Sequence, residues 1–570
     1  MLPWSLTICS FLILGFVCFG CRDAERSRPA DANTFRYNEP DGIASLDPAL
    51  ASYKAAIWAG SQIFNGLVEL DSNGAIVPCV ARSWTVDQTG MVWTFALRTD
   101  VYFHNDPCFG SKQTRRLTAE DVRYSIERIC HASTKTTGLW VFRTRIEGAD
   151  VFHEASKTDS SVRLRGLEVL NDSTIRIKLS SPFAPFLALL TIPYAWIVPR
   201  EAVETYGANF GRHPVGTGPF VCSSWQADVA LTLSRWSRYF KVDSAGRHLP
   251  YLASVRITFL RDRRNEFLEF TRGEYDMVSS IDGALSPALF EADGRLRSPY
   301  DRFQMFRAAA HSVEYYGMLL DTTTPVGAAS PLARHRALRQ ALNYAVDRHR
   351  LVTYVLRGRA IPATHGVIPP TMAGFSDTVV GYSYNPAKAR QLLAQAGFPH
   401  GKGLPPLLLQ LGNSDISAAV AEAVQSMWKE IGVTVTLRQV DFPQHLSMVR
   451  AGDLPMWRTS WIGDYPDPEN FLALFVTANR APKGPNTTHI RVPRLDSMYA
   501  ASLDPRRSFT ERSLLYHRME QHILEEAPWV FLYHDVLLRL VQPSVRGYHL
   551  DGSDRLVLER VSKDDRSTHH

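Results

Sequence analysis

Apolar and polar residues alternate with period two over 81–86 and again over 92–98, on either side of Gln88-Thr89-Gly90. That pattern predicts a β-hairpin. The same alternation over 174–179, 231–235 and 255–259, with a short run at 34–37, predicts further strands. The period changes to helical between 55 and 68, where Ala55, Ala56, Trp58, Ile63 and Phe64 recur on one side before the turn Asp71-Ser72-Asn73-Gly74. Thr118-Ala119-Glu120-Asp121 has the spacing of a capping box and opens a helix carrying Val122, Ile126 and Ile129. Leu338, Ala341, Leu342, Ala345 and Val346 lay one helical face on a core. From 406 the order is strand (406–411), helix (418–431, closed by Gly432), strand (433–440), which argues for an α/β body. A helix over 511–525 leads into the apolar run 527–533, expected to be a strand.

One stretch breaks the periodicity: Ser460-Trp461-Ile462-Gly463-Asp464-Tyr465-Pro466-Asp467-Pro468. Two prolines and a glycine exclude a regular element through its middle. A carboxylate on irregular backbone beside a large aromatic suits the gripping of a ligand cation with water kept away. The same residues also suit a tight loop whose carboxylates cap its own amides and whose Trp461 lies in the core. Gly216-Thr217-Gly218-Pro219-Phe220 predicts a sharp, rigid reversal before a strand. No Lys-Ser or Lys-Thr follows, so it is not a phosphate-cradling loop.

Several short motifs stand in a fixed order. They are Leu46-Asp47-Pro48, Phe64-Asn65-Gly66-Leu67-Val68, the Ser83-Trp84 hairpin, Val101-Tyr102-Phe103-His104 and Thr118-Ala119-Glu120-Asp121-Val122. Then come Pro182-Phe183, the Gly216–Phe220 turn, Gly273-Glu274-Tyr275-Asp276, Arg339-Gln340-Ala341-Leu342-Asn343-Tyr344-Ala345-Val346-Asp347-Arg348 and the Trp461 loop. This series resembles extracellular solute-binding protein family 5, the peptide-, oligopeptide- and nickel-binding proteins of ABC importers, from about 35 to about 550. The resemblance implies the bilobal α/β periplasmic-binding-protein fold, in its large type II (cluster C) form with an extra inserted domain. By analogy, lobe I takes residues 34–70, 190–308 and 530–560, the inserted domain 71–189, and lobe II 309–529.

The first 21 residues change the picture of where the chain works. From Leu6 to Cys21 they are apolar or small, too short a run for a membrane span and right for a signal peptide. Cys18-Phe19-Gly20-Cys21 resembles a lipobox, which implies acylation of Cys21, a signal peptide over 1–21 and a polar tether over 22–33. An uncleaved anchor or simple secretion is the other reading of the same residues. Each puts the body of the chain outside the cytoplasmic membrane, in the periplasm or on the outer face of the membrane.

Composition excludes more than it selects. Of 570 residues, 45% are hydrophobic and 21% charged, as in a globular protein of two or three domains. The net charge of +6 is spread without a basic run, so nucleic acid is not an expected partner. No HExxH, GxSxG or Cys/His metal spacing occurs, so neither catalysis, cofactor nor metal is expected. Beyond Cys21 four cysteines remain. Cys108, in a loop, and Cys130, near the end of the next helix, are expected to pair, closing a loop worth about 3 kcal/mol.

The resemblance implies the site as well. Peptide-binding members hold the ligand's α-ammonium on an Asp that corresponds to Asp464, with Trp461, Gly463 and Tyr465 around it. Ser52 and Tyr53, after Leu46-Asp47-Pro48, fall where the family's first lobe touches ligand, and Tyr315 and Tyr316 fall at the inferred lobe crossing. Asp467 is assigned to the loop's own backbone. Arg357 and Arg359 are candidates for a ligand carboxylate by type and region. The expected protein is a monomer that takes a peptide between two closing lobes and presents it to an ABC permease. A nickel chelate, haem, oligosaccharide or opine on the same fold, a sensory lipoprotein, and a hydrolase using Asp464 and Asp467 are the alternatives.

Overall fold

The computed structural model describes residues 33–281, 285–291 and 294–564. The expected signal peptide, Cys21 and the tether up to residue 32 lie outside them. A four-stranded sheet runs in the order Thr34–Asn38, Ser254–Thr258, Ala230–Arg235, Phe220–Gln226, parallel at its first pair and antiparallel thereafter. A second four-stranded sheet is antiparallel and contains the hairpin Ala81–Val86/Val92–Leu97, followed by Thr174–Lys178 and Leu167–Asn171. The helix Ala119–Cys130 begins with the capping box that Thr118 and Asp121 announce in sequence. One continuous core joins both sheets, from Phe35 and Trp58 to Phe95, Phe142, Ile177 and Ile257.

The glycines of the Gly216–Phe220 turn are there for close approach. A Cβ at Gly216 would stand 2.1 Å from the Ile63 carbonyl oxygen, and the Gly218 N–H donates to that oxygen at 2.7 Å. His104 meets the Gly218 carbonyl at 3.0 Å, and burial pushes its imidazole down to about 4, so it packs as a neutral ring.

The third sheet has eight strands. Its main path is Met277–Val278, Trp529–Val541, Ser312–Met318, Met456–Ile462, Leu407–Gly412 and Val435–Val440. Gln304–Ala309 and Ala360–Pro362 also pair with Trp529–Val541. Separate cores cover the sheet's two faces: Leu338, Leu342, Val424 and Trp428 on one, Phe471, Tyr516, Met519 and Phe531 on the other. A strand between two cores must be apolar on both faces, and Ser312–Met318 is buried at every position.

The 13-residue strand Trp529–Val541 ties the two bodies together. Its first part pairs with Ser312–Met318 and its second with Gln304–Ala309. Asp535–Leu538, where the second pairing begins, are only half-buried, while both flanks are buried. The change in burial marks the crossing from one set of partner strands to the other.

The expected Cys108–Cys130 bridge is not formed: Cys79, Cys108, Cys130 and Cys222 are all free thiols. Cys108 is held in the turn Pro107–Lys112, its N–H on Asp106 Oδ1 at 2.9 Å. Cys130 is committed to the helix end and the core, where burial pushes its thiol up to about 12.

Candidate ligand-binding cleft

The strand Met456–Ile462 carries Trp461 to the crossing and stops there. The Gly463 N–H still donates to the carbonyl of His311, its opposite number in the antiparallel register, at 2.8 Å, and the ladder ends there because the His311 N–H goes elsewhere. A Cβ at Gly463 would lie 3.0 Å from the Phe471 ring, so the bend packs tightly over the core. His311 belongs to the short link between Gln304–Ala309 and Ser312–Met318, and its own N–H is given to the Gly552 carbonyl at 2.6 Å. The loop is thereby seated on the crossing itself.

Asp464 follows the bend with its side chain exposed. Its carboxyl is nevertheless raised above the usual range, by desolvation first, with a hydrogen bond from Asn470 opposing. Asp464 is thus exposed to water yet partly desolvated by the protein around it. Asn470 organises the neighbourhood. Its Oδ1 accepts from the Trp461 indole N–H at 2.9 Å and from the Asp464 N–H at 3.1 Å, and its Nδ2 donates to Asp464 Oδ2 at 3.4 Å. Trp461 is half-buried against the core below. Ile462, two residues before Asp464 and 70% exposed, is bare apolar surface.

The rest of the loop is bonded inward. Asp467 takes the Glu469 N–H at 2.9 Å, the Tyr516 hydroxyl at 3.1 Å and Arg512 at 3.1 Å, so it holds the loop rather than facing ligand. Tyr465 departs from expectation. It is buried, and its hydroxyl, like that of Tyr499, donates to the Glu469 carboxylate. The prolines on the loop turn Tyr465 away from Asp464 and into the core shared with the first body. There 88–90 and 184 of the second sheet's region meet 503–506: the Ala184 N–H donates to Leu503 O at 2.7 Å, and Arg506 reaches Gln88 O at 3.4 Å.

Tyr315 and Tyr316 are likewise not presented to the cleft. Tyr315 stacks on Trp529 with ring centroids 3.3 Å apart, and Tyr316 sets its edge against Trp428. Their strand is covered on both faces, so neither of two adjacent side chains can reach solvent. The group that their strand brings toward the crossing is Glu314, ion-paired with Arg458. Burial, together with nearby Asp535, pushes Glu314 up to about 7 against the pull of Arg458. Ser52 is exposed and Tyr53 half-buried at the start of the helix Lys54–Gly60, where the Tyr53 hydroxyl accepts the Ala44 N–H at 2.8 Å. Lys54 lies 4.4 Å over the Trp58 ring and 3.6 Å from Glu39. Arg357 is exposed and Arg359 half-buried in the turn before Ala360–Pro362.

Asn470 is the residue that sequence reasoning passed over. Its signal is slight: a buried amide six residues beyond Asp464, where an irregular loop needs an acceptor for its N–H groups.

Residues 75–483 match the family model for bacterial extracellular solute-binding proteins, family 5. The chain belongs to that family. The heme-binding protein A of Haemophilus influenzae is 26% identical, over 95% of this chain and 96% of its own length. The dipeptide-binding protein of Escherichia coli is 25% identical over 93% and 95%, and a probable di/tripeptide-binding protein of Pseudomonas aeruginosa 27% over 88% and 90%. Among solved structures, the unliganded open form of the periplasmic murein tripeptide binding protein MppA superposes with a TM-score of 0.77 at 24% identity, covering 94% of this chain and 98% of the other. HbpA2 of Haemophilus parasuis gives 0.77 at 22%, covering 93% and 100%. The fold is thus the bilobal α/β fold of periplasmic solute-binding proteins.

Proposed function

We propose that this family-5 protein captures peptides by their free amine, which Asp464 holds while the lobes close, and delivers them to the permease of an ABC importer. The observation that supports the reading is Asp464: an exposed carboxylate on the irregular loop after the strand Met456–Ile462, raised by desolvation and hydrogen-bonded by Asn470. An ammonium placed against it makes a charge-assisted hydrogen bond that strengthens as closure excludes water. Trp461 and Ile462 supply apolar contact beside that point, and Ser52 and Tyr53 meet the ligand from the other lobe. Ligand bridging both lobes stabilises the closed state, which the permease distinguishes from the open one. The domain division is read as 34–70, 190–308 and 530–560 for lobe I, 71–189 for the inserted domain and 309–529 for lobe II. Acylation at Cys21 would tether the monomer to the membrane. The protein acts as a binder, without chemistry on its ligand.

A second reading, haem in the same cleft, is favoured by the likeness to the Haemophilus influenzae heme-binding protein A. Native mass spectrometry of protein made without residues 1–21 and purified gently separates the two. A spread of adducts at peptide masses that fragment to amino-acid ions supports the peptide reading. A single adduct at the mass of haem, with its visible absorption band, replaces it.

A further inference from the structure

We infer that the contact between the hairpin side of the first body and residues 465–506 of the second is a pivot, kept intact while ligand is captured. The lobes then turn about a line drawn from the strand crossing to this contact. The inference rests on the reading of a protein whose lobes close on ligand, and deepens it by fixing the axis of closure. The fastening can be followed residue by residue. At the crossing, the Gly463 N–H donates to the His311 carbonyl at 2.8 Å. Two residues on, Tyr465 is 6% exposed and packs in the core of the first body, although its loop belongs to the second. Leu503 packs against the cores of both bodies, and its carbonyl accepts the Ala184 N–H at 2.7 Å. Pro505 comes so near the hairpin turn that a Cβ on Gly90 would stand 2.8 Å from its ring, and Arg506 reaches the Gln88 carbonyl at 3.4 Å. Two bodies fastened at the crossing and again here keep one rotation between them.

Parting the bodies here would uncover what the contact buries. Glu469 is fully buried and accepts the Tyr465 and Tyr499 hydroxyls. Burial raises its carboxyl, and the charge of Arg145 is the largest pull the other way. Arg145 belongs to the first body: its carbonyl accepts the Ser180 N–H at 2.7 Å, and its guanidinium lies 3.9 Å over the Phe183 ring. Separation would wet Tyr465 and Leu503 and take a buried acid from its compensating charge, which costs more than parting an ordinary polar interdomain surface. The rotation is left to the crossing strand, whose Asp535–Leu538 are half-buried.

The test locks the contact covalently. Gln88 and Arg506 are both exposed, so Gln88→Cys combined with Arg506→Cys leaves the cores untouched. A short bismaleimide joins the pair, and wild type given the same reagent controls for the native cysteines. The probes are a random tripeptide pool and haem. Capture is counted by native mass spectrometry, and lobe closure is read as the fall in radius of gyration by small-angle X-ray scattering. The linked protein should capture within about threefold of the unlinked pair and contract by the same amount. If the unlinked pair contracts with ligand and the linked one does not, the contact parts during capture; the pivot is overturned while the closing-lobe reading stands. If neither probe contracts wild type, that reading falls and the pivot with it. Failure of the two introduced cysteines to link in the free protein overturns the contact itself. A second measurement needs no variant. The Ala184 amide, bonded to Leu503, should exchange its hydrogen equally slowly in free and ligand-loaded wild type, and protection lost on loading overturns the pivot.

Discussion

Glu520 should make the second body less stable as the solution becomes alkaline. It lies within the helix Phe509–Glu526, 1% exposed, and accepts the Ile368 N–H on Oε1 at 3.0 Å. The chain passes so close that a Cβ at Gly366 would stand 1.9 Å from that oxygen. Burial pushes the carboxyl up to about 8 from an ordinary value of 4.5, against backbone hydrogen bonds from Ile368 and Val367. Between those two values the folded chain keeps a proton that the unfolded chain has released. The stabilisation is thus whole below the unfolded value and is lost as pH rises to the folded one. At about 1.4 kcal/mol per pH unit the full span is worth roughly 4–5 kcal/mol, an order-of-magnitude figure that structural relaxation reduces. Glu520→Gln holds a neutral acceptor at the same place. The assay is urea unfolding of wild type and variant at pH 5.5 and 8.5, compared as a difference of differences so that any pH-independent cost of the substitution cancels. The variant should gain at least about 2 kcal/mol on wild type between the two pH values. An unchanged difference would refute the argument that Glu520 is buried as a neutral acid.

Three further outcomes follow from the packing. Arg348 is buried and gives hydrogen bonds to the Phe531, Asn343, Val346 and Tyr382 carbonyls, so Arg348→Lys should cost roughly 3 kcal/mol in thermal or urea unfolding, since bonds from a charged group are worth about 1.5–3 kcal/mol each. Gly216→Ala places a methyl 2.1 Å from the Ile63 carbonyl oxygen and should destabilise by about 2 kcal/mol or more, seen as a lowered midpoint, whereas an unchanged midpoint would contradict the packing of that turn. Protein lacking 1–21, denatured without reductant and alkylated, should add label at each of Cys79, Cys108, Cys130 and Cys222; a mass two labels short would restore a bridge.

Much of the fold could be read along the chain because its peripheral elements carry local signals. The hairpin Ala81–Val86/Val92–Leu97 alternates because one face of each strand is wetted, and Thr118 and Asp121 announce the helix Ala119–Cys130 by their spacing. The ordered motifs carried the family and, through it, the bilobal architecture. What stayed hidden depends on contacts distant in sequence. A strand buried at every position has no alternation, so Tyr315 and Tyr316 looked free to face a cleft when two cores enclose them. Tyr465 reads as a neighbour of Asp464, but the backbone turns between them, and its partners Glu469 and Tyr499 are revealed only by folding. Whether Cys108 and Cys130 meet depends on a turn geometry that spacing does not encode. Asn470 was visible as a letter, yet its role appears only when one amide is seen to hold both Trp461 and Asp464.

The central claim is that Asp464 holds a ligand amine. Its most direct test is titration calorimetry of peptide recovered from the protein, with its N-terminus free or acetylated, against wild type and Asp464→Asn. Losing a charge-assisted bond of about 1.5–3 kcal/mol should weaken the free peptide on Asp464→Asn by roughly ten- to a hundredfold. Acetylation should weaken wild type by a similar factor and the variant hardly at all. Equal affinity of wild type and Asp464→Asn for the free peptide would contradict the account.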